Sequence, residues 1–525
     1  MKPPLIILSA AYISETLHGH LGKIRTSLIP VGGSSLVELN CELFSEILEP
    51  YVAYHSSDLT TKSYLEIRSR NKIEINGDAS LKEAVLQSID NLLSVYKDDF
   101  SFQLLFGDTT IKPESSVDFI SLILSRDDFS DWTSVSDFEN ELIFNTPAKK
   151  HELIVGGYFG FSSAKTLQKI LLNSNSFYEA VSLFDSKVQK LERLVAQDWL
   201  DFGRVNTLYI SRMNMLTSRS FNTVKADNSK NTIRKSSIDL EKIRNEINWY
   251  TSLPQWKMSH IAPNLTDFSL EQGWYETEYC LQPNMAEIFI FSRKSMGYWN
   301  RFFTALQSYF KELTDIASLE STQSNLDLIR ETYLKKLDKR MKQLQKQSPE
   351  FFELKFKIGD NLIYLAEYIA LLNKDMETFI PKPMTLIHGD FFFGNMFFWD
   401  ELNRLVCIDP LGLPSEGAVF DLNYEFAKLS HSFFGGYDFL AANLFSCGSS
   451  NDVPFLEIPW QNIHHDIKIV ASDFFTHSER FYGISRKQIR KLEAFLFLTL
   501  SPLHPENRDR QLASIIRSIQ VYTEE

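Results

Sequence analysis

Two folds in tandem are predicted for this 525-residue chain, an open α/β sheet in residues 1–215 and an α+β unit in residues 216–525. Three observations predict them. Leu5 to Ala11 is a continuously apolar run, the kind buried on both faces of a parallel sheet, and further apolar runs alternate with stretches at helical spacing. Ser218 to Ser237 breaks that alternation with a polar tract rich in Lys, Asn and Ser. From Met296 to Phe379 the pattern is almost continuously helical.

In order along the first part, the strand at Leu5–Ala11 leads through a polar loop to a helix at Leu36–Leu48. A helix at Ser80–Tyr96 precedes a strand at Phe102–Phe106 that ends in Gly107-Asp108, and a strand at Leu153–Val155 ends in Gly156-Gly157 before a helix at Ser163–Leu172. Carboxylates at strand ends lie where open α/β sheets bind ligands. In the second part, weak alternation in Ser218–Ser237 suggests an antiparallel hairpin, followed by a helix at Glu241–Leu253 and a strand at Tyr275–Leu281. A small lobe is expected at 216–295 and a helical large lobe at 296–525. The basic run Lys335 to Lys342 reads as a solvated helix face.

Composition narrows the function classes. Hydrophobic residues make up 44% and charged residues 23%, the mix of an ordinary globular protein. The net charge of −13 is a poor match for nucleic acid or an anionic membrane surface, although a local site for a small phosphorylated ligand can be positive within an acidic protein. The 41 phenylalanines read as packing material rather than a base-stacking stripe. Cys41, Cys280, Cys407 and Cys447 have no metal-ligand or disulfide spacing. The apolar start is too short to span a membrane and Pro3-Pro4 argues against a secretory signal, so the expectation is a cytoplasmic protein without a membrane span.

The most informative segment is Leu386-Ile387-His388-Gly389-Asp390-Phe391-Phe392-Phe393-Gly394-Asn395, followed by Ile408-Asp409. Isolated His, Asp and Asn residues in an apolar frame suit a scaffold that presents a few polar groups to a cleft. Phosphoryl transfer from ATP needs a carboxylate to orient the attacking hydroxyl and oxygen ligands for Mg²⁺. Asp390 can be the former, and Asn395 and Asp409 the latter.

His388-Gly389-Asp390, Asn395, Ile408-Asp409 and the later Asp421-Leu422 together resemble the aminoglycoside phosphotransferase and choline kinase family. The resemblance implies a bilobal, protein-kinase-like second part that uses ATP and Mg²⁺ on a small-molecule hydroxyl, with His388 supporting the catalytic loop. It also implies a lysine for the phosphates and a glutamate to hold it. Lys235 and Glu246 are the candidates, with Lys225 or Arg234 as alternatives to the former and Glu241 to the latter. No glycine-rich loop precedes them, since Phe221 to Lys225 lacks glycine. Glu278-Tyr279-Cys280-Leu281 is the candidate hinge for an adenine edge, which makes Glu278 and Cys280 cofactor-binding candidates.

The first part resembles the sugar-nucleotide pyrophosphorylases in pieces: Leu28 to Glu38, Leu105 to Thr109, and Trp199 to Gly203. The resemblance implies a Rossmann-like αβα nucleotidyltransferase fold, with Asp108 and Asp201 as metal ligands. Two departures stand out. Where that family has a glycine-rich loop with an Arg, this chain has Ala11-Tyr12-Ile13-Ser14-Glu15, and where it has Pro-Lys, this chain has Arg25-Thr26-Ser27. Side chains replace the glycines and Glu15 brings a negative charge toward a phosphate. Lys23, Arg25 or the His18-Gly19-His20 pair are candidate substitutes.

The leading expectation is an ATP- and Mg²⁺-dependent kinase of a sugar, polyol or amino alcohol, placed by the resemblance in surface (capsule) polysaccharide precursor metabolism. A second expectation is a bifunctional kinase and nucleotidyltransferase making an NDP-linked precursor. A third makes the first part a non-catalytic binding or assembly module. The sequence leaves the oligomeric state open.

Overall fold

A computed structural model describes residues 2–524 except 125–131, 139–140, 146–151, 216–221, 228, 317–322, 380–383, 414–419 and 463. The chain divides into two compact units. Met1–Met215 with Phe291–Arg293 forms the first, and Leu216–Ile290 with Lys294–Glu525 the second. The start of the polar tract, from Ser218 to Phe221, lies outside the described residues.

Unit 1 is built on a mixed sheet. Its main path runs from Glu141–Asn145 through Ser134–Phe138, Leu153–Phe161, Phe102–Phe106, Pro4–Leu8 and Glu49–His55 to Asn71–Ile75. The strand Pro4–Leu8 lies parallel to both Glu49–His55 and Phe102–Phe106, so the chain winds away from it in both directions. That creates a topological switch point at the carboxyl ends of Pro4–Leu8 and Phe102–Phe106, where ligands enter open α/β sheets. Asp108 stands two residues past the end of Phe102–Phe106.

The flanking helices start where the sequence supplies caps. Ser80 and Glu83 form a reciprocal capping box for the helix Leu81–Tyr96, and Ser163 accepts from the Thr166 amide at the start of Ala164–Leu172. Ile6, Leu104, Phe102, Phe159, Val85 and Leu167 meet in one buried core between sheet and helices. One expected strand end differs. The strand Leu153–Phe161 continues through Gly156 and Gly157, with a bulge between Val155 and Phe159. These glycines admit neighbours rather than make a turn: a methyl group on Gly156 would lie 2.6 Å from the Ser121 hydroxyl oxygen, and one on Gly157 3.1 Å from the Phe106 ring.

Unit 2 opens with a four-stranded antiparallel sheet in the order Asn222–Asp227, Thr232–Ser237, Trp274–Glu278, Leu265–Ser269. The helix Leu240–Ser252, capped by Asp239, packs on it with the Tyr250 ring against Tyr275, and Ile243 and Ile247 are buried at i, i+4. Long helices follow, including Met296–Ile316, Gln323–Gln347, Leu422–Phe433 and Arg486–Leu500. Phenylalanines fill the space between them: Phe289, Phe302 and Phe433 all contact the Phe393 ring.

The expected continuous helix from Met296 to Phe379 is interrupted. A hairpin, Lys355–Ile358 with Asn361–Tyr364, turns at Gly359 with φ +57°. Gly359-Asp360 between alternating residues is a two-residue hairpin signal, masked by the helical period on either side. Among the described residues, no helix is long and apolar enough to cross a membrane.

Candidate functional site

In unit 2 the segment 386–413 forms a loop held from three sides. His388 and Gly389 donate their amides to the two oxygens of Glu425, at 2.9 Å each, and Tyr309 donates its hydroxyl to the same carboxylate. Trp249, on the helix Leu240–Ser252, donates its indole N–H to the Ile387 carbonyl at 2.9 Å. Gly389 has φ +77°, and a Cβ there would lie 2.6 Å from Leu411, so only glycine fits. The Leu411 amide returns to the His388 carbonyl, and Leu413 binds the Asn245 carbonyl.

These constraints fix Asp390. Asn395 Nδ2 donates to both its carbonyl and its Oδ2, each at 3.0 Å, and Lys428 Nζ lies 2.8 Å from its Oδ1. Burial pushes the Asp390 pKa up, but the Lys428 ammonium outweighs it and holds the carboxyl below its ordinary range. His388 Nδ1 accepts from the Asp390 amide, and Nε2–H donates to the Ile408 carbonyl at 2.9 Å. Burial lowers the imidazole pKa to about 4, so it is neutral and braces the loop.

Lys235 reaches this region from the strand Thr232–Ser237. Its ammonium lies 2.8 Å from Glu246 Oε2 and 3.0 Å from Asp409 Oδ1. Burial works against its charge, but Asp409 and Glu246 raise its pKa overall. The alternatives are differently occupied. Lys225 pairs across the hairpin with Arg234, whose guanidinium lies over the Trp274 ring and bonds Glu276. Asp409 adopts φ +57°, a left-handed conformation that Asp tolerates at a cost, and its side chain is 49% exposed.

The two candidate hinge residues have engaged side chains. Glu278 donates its amide to the Asn264 carbonyl and accepts from Asn264 Nδ2 at 2.9 Å, which ties its amide and side chain to the start of the neighbouring strand. The Cys280 thiol packs with Phe397 and Val406, and burial pushes its pKa up to about 12, which leaves only its backbone to a ligand.

Among the described residues no three His, Cys, Asp or Glu side chains cluster as a metal site. The donor set of Asn395 and Asp409 nonetheless suits magnesium, which takes one or two protein oxygens and completes its shell with phosphate and water. Asn395 uses Nδ2 on Asp390, which leaves its amide oxygen for the ion.

In unit 1, Asp201 pairs in register with Thr109, next to Asp108, through the short ladder of Thr109–Thr110 with Leu200–Asp201. A methyl group on Gly203 would lie 2.6 Å from Asp108 Oδ2 and 3.3 Å from Asp201 Oδ1, so both carboxylates face one point. Burial, then the Asp201 charge, raises the Asp108 pKa to about 6, and burial raises that of Asp201. Arg204 stands 3.6 Å from Asp201 Oδ2, and the Thr207 hydroxyl donates to the same oxygen. Two desolvated carboxylates with one cation beside them fit a divalent ion.

The candidate basic groups around Tyr12 make contacts within the chain. Arg25 donates to the Ala10 carbonyl at 2.6 Å, and its guanidinium lies 3.6 Å from the Tyr12 ring centroid, so it is committed to the loop rather than to a ligand. Lys23 sits over the same ring at 4.6 Å. His20 bonds the Tyr209 hydroxyl.

Sequence reasoning missed Glu425, Lys428, Trp249 and Gly203. Glu425 and Lys428 stand three apart on Leu422–Phe433, so one helix face holds the loop backbone and the Asp390 side chain together. The only sequence signal was their place just after Asp421-Leu422.

No protein-family model matches the chain. No curated protein matches it either. Solved structures similar over about the N-terminal 40% are nucleotidyltransferases. They include the inositol-1-phosphate CTP transferase from T. maritima, with 12% identity, 39% of this chain and 91% of that one covered, and a TM-score of 0.31. HddC from Yersinia pseudotuberculosis has 14% identity, 41% and 100% coverage, and a TM-score of 0.32. The CTP:phosphocholine cytidylyltransferase LicC from Streptococcus pneumoniae has 12% identity, 41% and 100% coverage, and a TM-score of 0.31.

Proposed function

We propose that the chain is a bifunctional transferase, in which unit 2 phosphorylates a small-molecule hydroxyl from ATP and unit 1 couples a phosphorylated compound to a nucleotide. The observation that carries the first activity is the convergence on one loop system of Lys235, held by Glu246 and Asp409, and Asp390, held by Asn395 and Lys428. Lys235 binds triphosphate oxygens, with Glu246 fixing its direction. Asp390 accepts a hydrogen bond from the acceptor hydroxyl and orients it toward the γ-phosphorus. The new O–P bond forms as the β,γ-bridging O–P bond breaks and ADP leaves, and Asp390 takes the hydroxyl proton. Magnesium, held by Asn395 and Asp409, supplies neutralisation of phosphate charge. Neutral His388, and Glu425 through the two loop amides and the Tyr309 hydroxyl it accepts, keep the loop in place throughout.

The observation that favours the second activity is the facing pair Asp108 and Asp201. Metal bound there neutralises charge on a nucleotide's phosphates. With Arg25 engaged by Ala10 and Tyr12, Lys23 and His18 stand as the candidate basic groups to meet a phosphate.

Each activity has its own test in the full chain. ATP and a panel of sugars, polyols and amino alcohols are assayed for ADP. Asp390→Asn abolishes ADP formation while nucleotide binding persists, and unchanged turnover in that variant refutes the assignment. CTP, UTP, GTP and ATP are each assayed with sugar phosphates for pyrophosphate release, which Asp108→Ala removes. Silence with all four nucleotides leaves unit 2 as the working centre and refutes nucleotidyl transfer by unit 1.

A further inference from the structure

The basic run Lys335 to Lys342 does not lie wholly on a solvated face. Lys335 pairs with Glu331 at 2.7 Å and Lys342 with Asp338 at 2.8 Å, each one turn back on the same helix and in solvent. Lys336 is half-buried and points the other way, with its Nζ 3.0 Å from the Tyr424 hydroxyl. Among the described residues, no carboxylate lies within ion-pairing distance of Lys336. Lys428 approaches the same phenol from the side of Asp390: its Nζ is 6.0 Å from the Tyr424 ring centroid and 2.8 Å from Asp390 Oδ1.

We propose that the ammonium groups of Lys336 and Lys428, both within 6.0 Å of the Tyr424 ring centroid, form an acceptor subsite for an anionic group, so that the hydroxyl compound phosphorylated at Asp390 already carries a phosphate or a carboxylate. The inference rests on the phosphotransferase reading of unit 2 and narrows its substrate class.

Charge arithmetic carries it. Two ammonium groups and one phenol share a single carboxylate, Asp390, which leaves a surplus positive charge in a partly desolvated place. Two like charges gathered around one ring are unfavourable unless an anion joins them. The other two carboxyls nearby are already occupied. Glu425 accepts from Tyr309 and the His388 and Gly389 amides, and burial raises its pKa to about 7. Asp421 accepts from the Tyr333 hydroxyl and from Asn423, and burial raises its pKa to about 7. The two lysines also hold the Tyr424 phenol below its ordinary pKa despite burial. A cationic acceptor such as an amino alcohol would be repelled here, because the one acid that could receive it is the group that must orient the hydroxyl.

The test uses the full chain and inorganic phosphate as the probe, titrated by calorimetry with the nucleotide site filled by magnesium and a non-hydrolysable ATP analogue, and again without them. Saturable phosphate binding is expected, weakened about tenfold or more by Lys336→Gln and tightened by Asp390→Asn, which removes the one negative charge. Phosphate binding that is absent, or unchanged by Lys336→Gln, overturns the subsite. Failure of the analogue to bind in its own titration refutes the phosphotransferase reading instead, and the phosphate series without analogue still reads the lysine pair. In turnover, glucose, glucose 6-phosphate and glucosamine offer neutral, anionic and cationic forms of one ring. Preference for the phosphate ester supports the proposal, and preference for the amine overturns it.

Discussion

Replacing Lys235 by Met removes the cation at the centre of the unit 2 site, and the structure sets the size of the effect. Lys235 is 8% exposed and Glu246 1% exposed, with 2.8 Å between their charged atoms. Breaking such a buried pair from one side costs about 3–5 kcal/mol, because the surviving charge is left without a partner. Burial already raises the Glu246 pKa, so the carboxylate can take up a proton and hold the loss near the lower figure. Glu246→Gln is milder, about 1–2 kcal/mol, since Lys235 keeps Asp409. Removing both charges in Lys235→Met/Glu246→Leu leaves one buried group, the Tyr275 hydroxyl, without its acceptor, a cost of about 1 kcal/mol, while Asp409 and Lys242 lose their partners at positions open to water. Stability should therefore fall most in the single lysine variant and recover in the double variant. Turnover should drop about 100-fold or more in Lys235→Met and stay lost in the double variant. Urea unfolding followed by tryptophan fluorescence, alongside ADP formation, measures both. A double variant as unstable as Lys235→Met, or a Lys235→Met enzyme within threefold of full activity, refutes the reasoning.

Gly203→Ala puts a methyl group 2.6 Å from Asp108 Oδ2, so pyrophosphate release should fall more than about tenfold while ADP formation by unit 2 is unchanged. The His388 pKa is lowered from 6.5 to about 4, so the unfolded chain binds the extra proton first. The stability this neutral histidine contributes is present above pH 6.5 and is lost as pH falls through 4, by about 3 kcal/mol, and subtracting the pH profile of His388→Gln isolates the slope. Asp438 has the opposite sign: burial raises it from 3.8 to about 7. Its favourable contribution is lost as pH rises from 3.8 through 7, by about 4 kcal/mol, and Asp438→Asn should therefore gain on the parent in unfolding midpoint across that range.

What the sequence made legible was local. The apolar run at Phe102–Phe106 and the caps at Ser80 and Ser163 depend on neighbours a few residues away, so periodicity and capping chemistry expose them. The polar groups from His388 to Asp409 stood out because an apolar frame isolates them. Lys428 was not legible, since its partner Asp390 is 38 residues away and helical spacing says which side chains share a face but not what that face meets. Gly156 and Gly157 read as a turn because glycine tolerates both a turn and a bulge, and only the partner strand Phe119–Leu124 decides between them. Arg25 read as a spare cation, and its commitment to Tyr12 follows from the isolated bridge between those two residues.

The most direct measurement is anomalous diffraction from crystals of the full chain grown with an ATP analogue and Mn²⁺ in place of Mg²⁺. A manganese peak roughly 2 Å from oxygens of Asp409 and Asn395, with Lys235 on the phosphates and Asp390 facing the terminal phosphoryl group, is the predicted result. Nucleotide bound away from Lys235, or manganese that touches neither Asn395 nor Asp409, contradicts phosphoryl transfer at this loop.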